Sequence, residues 1–240
     1  MNSQGFTLIE LAAVIVVIGV IATMALNKSD GVHETARQIA TERELTSLAH
    51  AIRGNPALYK SGKASSFGYV GDIGAFPSAL SDLISQPSGY TTWNGPYITD
   101  NGSSDYTTDG WGAAYVYNGG TTIQSTGSGS IITKQLATAI GDYTSNTVRG
   151  VVHDAAGLPP GTANSSNVTV SIVHPNGSGG LTTTSVNPSA TGAFTLSGIP
   201  VGNYDLQIVF STGADTLTEQ INVLPGSIVT IPATFGVVLW

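Results

Sequence analysis

The chain contains no cysteine, and this absence excludes several kinds of chemistry at once. Disulfide bonds, thiolate nucleophiles and cysteine-based metal sites are all ruled out. Charged residues are also few, at 10% of the 240 residues, whereas apolar residues reach 41%. This composition is too apolar for a disordered chain, and its low charge is more typical of a protein displayed outside the cytoplasm than of a cytosolic one.

Basic residues are scarce and unevenly placed. All eight lysines and arginines lie at or before Arg149, and the net charge is −7. The rest of the chain therefore offers no cationic surface for nucleic acid. Upstream, Arg37 and Arg43 alternate with acids such as Glu42, which is typical of a solvated helix face. We expect no nucleic-acid partner.

No catalytic motif is present. The four histidines are far apart in the sequence, at His33, His50, His153 and His174. An HExxH zinc motif, a glycine-rich phosphate loop and a G-x-S-x-G nucleophile motif are all missing. We therefore expect neither enzyme activity nor a cofactor.

The longest apolar run lies at the N-terminus, where residues 6–26 read FTLIELAAVIVVIGVIATMAL. This length matches the roughly 20 residues with which a helix crosses a bilayer. A cleaved secretory signal peptide would start with basic residues and end at a small-residue cleavage site. Residues 1–5 contain no basic residue and no such site follows, so we predict a membrane helix.

Glu10 is the one acid within this run. A carboxylate in apolar surroundings costs on the order of several kcal/mol unless it finds a partner. The free α-amino group of a neighbouring copy would be such a partner if the chain were cut before Phe6. Because that pair would form only on assembly, it would set the register between subunits.

The string Gly5-Phe6-Thr7-Leu8-Ile9-Glu10, followed at once by the apolar run, resembles the prepilin cleavage and methylation motif of type IV pilins and type II secretion pseudopilins. The resemblance implies cleavage between Gly5 and Phe6 by a prepilin peptidase, N-methylation of Phe6, and a role for Glu10 in filament assembly. Leaders of this family usually contain lysine or arginine, and residues 1–5 depart from that pattern. An ordinary signal anchor is the alternative.

A second helical pattern follows the apolar run. Apolar residues recur on one helix face from Val32 to Ile52, and the pattern stops at Gly54. Because no proline precedes Pro56, we predict that both segments form one long helix, a rod over residues 6–56, which could bend near Gly31.

Short apolar stretches separated by turn residues predict a small α/β head over residues 57–141. Within it we expect a short helix at Pro77–Ile84 and strands at Tyr115–Tyr117 and Gly129–Thr133.

The head resembles the major pseudopilin of type II secretion. The likeness lies in three segments and, with the N-terminal helix, spans roughly residues 5–140. These segments are Phe76-Pro77, Asn94-Gly95-Pro96-Tyr97-Ile98 and Asp109-Gly110-Trp111-Gly112.

A metal site in the head is a separate question. Many of those pseudopilins hold calcium in an acidic loop after the tryptophan-glycine turn, but residues 118–141 contain no acid, so that site is not carried over. Asp100, Asp105 and Asp109 are candidate ligands for a hard cation. Acids in a loop rich in glycine, serine and asparagine are more often turn formers, and we favour that role.

The C-terminal part has a different residue pattern, with short stretches in which apolar and polar residues alternate. After a linker near residues 141–146, this spacing predicts a small antiparallel β-sandwich over residues 147–240. The predicted strands are Thr147–His153, Asn167–Val173, Ala193–Leu196, Tyr204–Phe210, Leu217–Val223 and Ser227–Ile231.

The clearest signal in this part is the segment Gly192–Leu206. It places Phe194 and Leu196 on one strand face, turns, and returns with Tyr204 and Leu206 facing inward. With the opening residues 150–154, it resembles the carboxypeptidase regulatory-like and collagen-adhesin B-type β-sandwich. Such domains act as spacers, stabilisers or binding faces, and the absence of lysine here excludes an internal Lys–Asn isopeptide bond.

Taken together, the sequence predicts an α+β protein: a long N-terminal pilin helix, a pseudopilin-like head and an antiparallel all-β sandwich. We expect a structural filament subunit, held in the bacterial inner membrane as a precursor and extracytoplasmic once assembled. Its partners would be other copies of itself, prepilin peptidase and the assembly machinery. Two alternatives remain open, a low-copy tip adhesin and a membrane-tethered monomeric binding protein.

Overall fold

The computed structural model describes the backbone of residues 7–99, 105–213 and 215–240, and their side chains except those of residues 24–30 and 105. Within these ranges the protein is α+β, with one long helix at the N-terminus and sheets concentrated in the C-terminal part.

The helix α1 runs unbroken from Leu8 to Arg53, so the prediction of a single rod is confirmed and the chain stays helical through Gly31. At 46 residues it is about 70 Å long. It ends at Gly54, whose φ of 81° is left-handed and whose added Cβ would lie 2.1 Å from the carbonyl oxygen of Ser66. The end of α1 thus depends on glycine at this position.

The head covers only the last part of α1. Leu45, Leu48 and Ile52 are fully buried, whereas Val32 and Ile39, on the predicted apolar face, remain 68% and 43% exposed. The apolar face therefore extends further toward the N-terminus than its own chain covers.

The head is built from short elements packed on α1. They are β1 (Tyr59–Lys60), β2 (Lys63–Ala64), α2 (Gly68–Ile73), 3₁₀ turns at Leu80–Leu83 and Asp105–Thr107, β3 (Thr122–Ser125) and β4 (Ile132–Gln135). Apolar side chains of α2, the 3₁₀ turns, β3 and β4 surround Leu48 and Ile52 to form one core.

Three local predictions in the head need correction. The helix predicted at Pro77–Ile84 is a single 3₁₀ turn, because the Asp82 carboxylate accepts the backbone N–H groups of Ser78 and Ala79 and closes a tight turn. The strand predicted at Tyr115–Tyr117 is one bridge between Val116 and Gln124. The strand predicted at Gly129–Thr133 starts at Ile132, after the left-handed Gly129.

The chain then passes through a short helix, α3 (Gly141–Thr144), where the sequence predicted a linker, and enters the C-terminal module. This module contains a four-residue helix, α4 (Gly161–Asn164), followed by a 3₁₀ turn at Ser165–Asn167. Its strands are β5 (Asn146–His153), β6 (Val168–Pro175), β7 (Leu181–Val186), β8 (Ala193–Ile199), β9 (Gly202–Phe210), β10 (Asp215–Val223) and β11 (Ile228–Thr234).

These strands form two sheets over one core. The order is β10-β9-β6-β7 in the four-stranded sheet and β11-β5-β8 in the three-stranded sheet. Phe194, Leu196 and Leu206 are buried in the shared apolar cluster as predicted, and Tyr204 packs at its margin. All six predicted strands are present, and β7 is a seventh that the sequence did not predict.

The prediction of an entirely antiparallel module is wrong for one strand pair. β11 runs parallel to β5, with Val229 opposite Val148. β10 and β11 belong to different sheets, so the connection Leu224–Ser227 crosses between sheets and delivers β11 alongside β5 in the same direction. Period-two alternation encodes which face a residue takes, and it carries no information about strand direction.

Candidate functional site

The N-terminal end of α1 is closed by a reciprocal cap between Thr7 and Glu10. The Glu10 carboxylate accepts the Thr7 backbone N–H at 3.0 Å and the Thr7 hydroxyl at 2.9 Å, while the Glu10 N–H donates to Thr7 Oγ1 at 3.3 Å. This is a capping box, which satisfies amide groups that the first helical turn leaves unpaired. Glu10 thus has a partner within its own chain.

The predicted processing site lies just upstream of this cap. Gly5 and Phe6 fall outside the described residues, as do the side chains of residues 24–26 at the other end of the predicted membrane segment.

The described part of this segment presents a continuous apolar surface to solvent. Its large aliphatic side chains are between 49% and 88% exposed. They are Leu8, Ile9, Leu11, Val14, Ile15, Val16, Val17, Ile18, Val20 and Ile21. An exposed apolar surface of this extent marks a site of contact with protein or lipid.

Among the residues that the structure describes, no helix combines the length and the apolarity needed to cross a membrane.

Asp109, one of the three candidate cation ligands, is buried and organises its own loop. Oδ1 accepts the N–H groups of Trp111 and Ala113 at 3.0 and 2.9 Å, and Oδ2 accepts the Ser125 hydroxyl at 2.6 Å and the Gly127 N–H at 2.9 Å. Because a carboxylate has about four acceptor positions, these donors occupy all of them.

These four hydrogen bonds also govern the ionisation of Asp109. Burial opposes the charged form, but the bonds from Ser125 and from the N–H groups of Ala113, Gly127 and Trp111 outweigh it and hold the pKa of Asp109 below its usual value. The arrangement supports the turn-forming role over cation binding. Asp100 lies outside the described residues, and the Asp105 side chain is not among those described.

The loop that Asp109 organises is fastened to α1 at Glu34 and Thr41. The Gly110 N–H donates to Thr41 Oγ1 at 2.9 Å, and the Trp111 indole N–H donates to the Glu34 carboxylate at 2.9 and 3.1 Å. Sequence reasoning missed Thr41 and Glu34. The sequence shows only the Asp-Gly pair, which is a turn signal, and the partners of the loop lie 69 and 77 residues earlier in the chain.

The head and the C-terminal module are in direct contact. Val201, from the turn between β8 and β9, is fully buried in the core of the head, and its N–H donates to Tyr143 O at 2.9 Å. Asn203 Nδ2 donates to Ala64 O at 3.0 Å, and the Gly177 N–H donates to Ile73 O at 2.8 Å. These contacts fix the C-terminal module against the head.

In the parts of the chain that the structure describes, no three histidine or acidic side chains come close enough together to hold a metal ion. His174, the most deeply buried histidine, packs against Tyr204 and has both ring nitrogens hydrogen-bonded, one to Pro175 O and the other to Thr184 Oγ1, at 2.8 Å each. It serves the core of the C-terminal module.

Two segments of the chain match known protein families. Residues 1–26 match the prokaryotic N-terminal methylation motif, and residues 65–131 match type II secretion system (T2SS) protein G. Over these segments the chain is similar to type IV pilins and pseudopilins. The resemblance to pilins and pseudopilins that the sequence predicted is confirmed for these segments.

A curated relative supports the same assignment. The chain is 30% identical over 96 residues to type II secretion system core protein G of Xanthomonas campestris pv. campestris. The match covers 40% of this chain and spans 57% of the length of the relative.

Solved structures give a more distant likeness. A dioxygenase domain from Streptomyces sp. SirexAA-E has 17% identity and a TM-score of 0.30, covering 40% of this chain and 82% of that one. BcpA, the major pilin subunit of Bacillus cereus, has 16% identity and a TM-score of 0.25, covering 47% and 36%. Each of these matches covers less than half of this chain.

Proposed function

We propose that this protein is a structural subunit of a type IV pilin-like filament, either a pilus or a type II secretion pseudopilus, assembled through α1. The observation that carries the proposal is the apolar surface of α1 from Leu8 to Ile21, which the rest of the described chain leaves exposed. The methylation motif at residues 1–26 and the protein G segment at residues 65–131 support it.

In this proposal the apolar surface of α1 is covered by lipid before assembly and by protein in the filament. Before assembly, lipid of the bacterial inner membrane surrounds residues 6–26, and in the filament the equivalent helices of other copies replace the lipid. Each large aliphatic side chain covered in this way contributes about 1.5–3 kcal/mol relative to exposure in water. Ten such side chains lie on the described part of α1, so a free subunit in water is strongly disfavoured.

Processing at the N-terminus prepares this exchange. In our proposal, prepilin peptidase cuts between Gly5 and Phe6 and Phe6 is then N-methylated. The new α-amino group lies one residue before Thr7, which belongs to the cap of α1. Glu10 of one copy then pairs with the amino group of a neighbour.

The cap gives Glu10 a role before assembly as well. Its hydrogen bonds to the Thr7 N–H and hydroxyl partly offset the cost of placing a carboxylate in apolar surroundings, and the ion pair with a neighbour completes the compensation. The part of this cost that the cap does not offset therefore favours addition of the next subunit.

We further propose how the domains are arranged from the centre of the filament to its surface. Residues 1–5 form the leader, residues 6–56 the core helix, residues 57–141 the head, and residues 147–240 a β-sandwich of the carboxypeptidase regulatory-like type. Because the sandwich is joined to the head and α1 extends away from it, packing α1 in the filament core presents the sandwich outward, on an extracytoplasmic filament.

Two measurements on bacteria that express the chain with a prepilin peptidase and assembly machinery test this proposal. Electron microscopy of sheared surface material, with gold-labelled antibodies against residues 147–240, should show filaments labelled along their length. Intact mass should show loss of residues 1–5 and gain of one methyl group. Label confined to filament ends would favour a tip adhesin, and an uncut, unmethylated chain without filaments would favour a tethered monomer.

A further inference from the structure

The C-terminal module has two lateral sides, each formed by one edge strand from each sheet. β7 lies beside β8 on one side, and β10 lies beside β11 on the other. Edge strands present unpaired backbone N–H and C=O groups, which natural proteins usually protect with charged residues, proline or bulges. How each edge is protected therefore shows which sides are open to a partner strand.

The β7 edge carries none of these protections. Its residues, Leu181–Val186, include no charge and no proline, and its pairing with β6 is regular. No charged residue occurs anywhere from 155 to 204. Within the described parts of the chain, β6 alone forms backbone hydrogen bonds with Leu181–Val186.

The opposite edge of the same sheet is also open over part of its length. In the described residues, the backbone of β10 from Asp215 to Glu219 forms hydrogen bonds with β9 alone. At Gln220 the carbonyl oxygen accepts Lys63 Nζ at 3.0 Å, which closes the rest of this edge. In the other sheet, β11 contains Pro232, which lacks an N–H and blunts that edge.

Strand direction makes the two open edges compatible. In the four-stranded sheet every neighbouring pair is antiparallel, so β7 runs opposite to β10. A second copy in the same orientation, displaced along the sheet, therefore brings its β10 antiparallel to β7 of the first. The contact joins two different surfaces head to tail, which is the kind of contact that builds a filament.

Charge also favours this contact over the alternatives. Copies that each carry a net charge of −7 repel one another, and β10 contributes Asp215 and Glu219. Two β10 edges facing each other would bring four carboxylates together. The uncharged β7 edge is the surface that β10 approaches without meeting another acid.

We propose that neighbouring copies pair edge to edge, with β7 of one copy antiparallel to β10 of the next, so that their four-stranded sheets become continuous. This inference rests on the proposed filament. The partner is a second copy of this chain. The register follows from one cross-strand row on the outer face of the sheet: Thr218 is opposite Gln207, Gln207 opposite Ser171, and Ser171 opposite Ser185. Continuing the row places Ser185 of one copy beside Thr218 of the next.

The absence of native cysteine makes a direct test available. Filaments of the double variant Ser185→Cys/Thr218→Cys are oxidised and separated on a denaturing gel. Within one copy these positions are three strand spacings apart, about 14 Å, which is too far for a disulfide. Any disulfide therefore joins two copies, and we expect a ladder of covalent multimers.

The matched control is Ser185→Cys/Gln207→Cys, which places the second cysteine on the central strand β9 and should give no ladder. Pairing Ser185→Cys with Thr216→Cys or Gln220→Cys covers a register shifted by two residues. Filaments seen by electron microscopy without a ladder in any of the three registers would overturn the edge pairing and leave the filament proposal standing. A chain that forms neither filaments nor a ladder would overturn both.

Discussion

The backbone N–H of Gly110 donates to Thr41 Oγ1 at 2.9 Å, and this bond ties the Asp109 loop to α1 just where the head begins to cover the helix. A Cβ added at Gly110 would lie 2.7 Å from the carbonyl oxygen of Arg37. Glycine is required here because the loop backbone lies directly against the helix backbone.

Gly110→Ala should therefore separate the loop from α1 and lower the free energy of unfolding by about 1–3 kcal/mol. Chemical denaturation of the full chain in detergent measures this change. Gly120→Ala is the matched control, since its new Cβ meets nothing within 4 Å and should leave stability nearly unchanged. Equal effects of the two substitutions would show that the close approach at Gly110 does not matter.

Asp109→Asn tests the hydrogen-bond network of the same loop. The amide has one acceptor oxygen and would turn its NH₂ group toward N–H donors, so we expect a loss of about 2–4 kcal/mol at neutral pH. Because the native pKa is lowered, the stabilisation by Asp109 is present above the usual aspartate range and is lost as pH falls through the native pKa. The difference between variant and parent should shrink in acid.

The control for that experiment is Asp205→Asn, which alters an exposed carboxylate on β9 and should have little effect. A pH-independent loss of stability in Asp109→Asn would contradict the role assigned to the ionised carboxylate.

Asp72 is expected to behave in the opposite way. Burial raises its pKa, and the hydrogen bond from the Tyr97 hydroxyl, at 2.8 Å, only partly opposes this shift. A carboxylate with a raised native pKa stabilises the fold least when it is ionised, so stability falls as pH rises through the native pKa. Asp72→Asn should raise the melting temperature at neutral pH and change it little in acid; a lower melting temperature at neutral pH would refute this.

Val201 offers a test of how the head and the C-terminal module are joined. It is fully buried in the core of the head although it belongs to the turn before β9. Val201→Ala should cost about 2 kcal/mol and, by weakening the shared contact, separate thermal unfolding into two transitions. Val173→Ala, at an exposed position of β6, is the control. A single transition with an unchanged midpoint in Val201→Ala would show that the modules do not depend on this side chain.

The features that sequence predicted best are those encoded by neighbouring residues. The helix from Leu8 to Arg53 follows from an apolar run and an amphipathic pattern without proline, and the inward positions of Phe194 and Leu196 follow from strand alternation. β7 was missed because Leu181-Thr-Thr-Thr-Ser-Val186 shows no apolar alternation. An edge strand with one exposed face and few apolar residues carries little sequence signal.

The parts that sequence did not predict depend on distant contacts. The sequence favoured a turn-forming role for Asp109, but it did not predict the partners Ser125 and Gly127, which a separate strand and turn bring to its carboxylate. The parallel direction of β11 likewise follows from a crossing between sheets, which local alternation does not record. Contacts of this kind become visible only once the chain is folded.

The central claim is that α1 assembles with other copies and that the charge of Glu10 drives this step. Glu10→Gln removes the charge while keeping an oxygen able to accept the Thr7 N–H, so the helix cap is retained. Glu42→Gln is the matched control, an exposed acid on the same helix. The decisive measurement is the filament yield of each variant in sheared surface material, relative to the parent. The account predicts that Glu10→Gln accumulates in the membrane without filaments while Glu42→Gln assembles normally; filaments of Glu10→Gln at parental yield would contradict it.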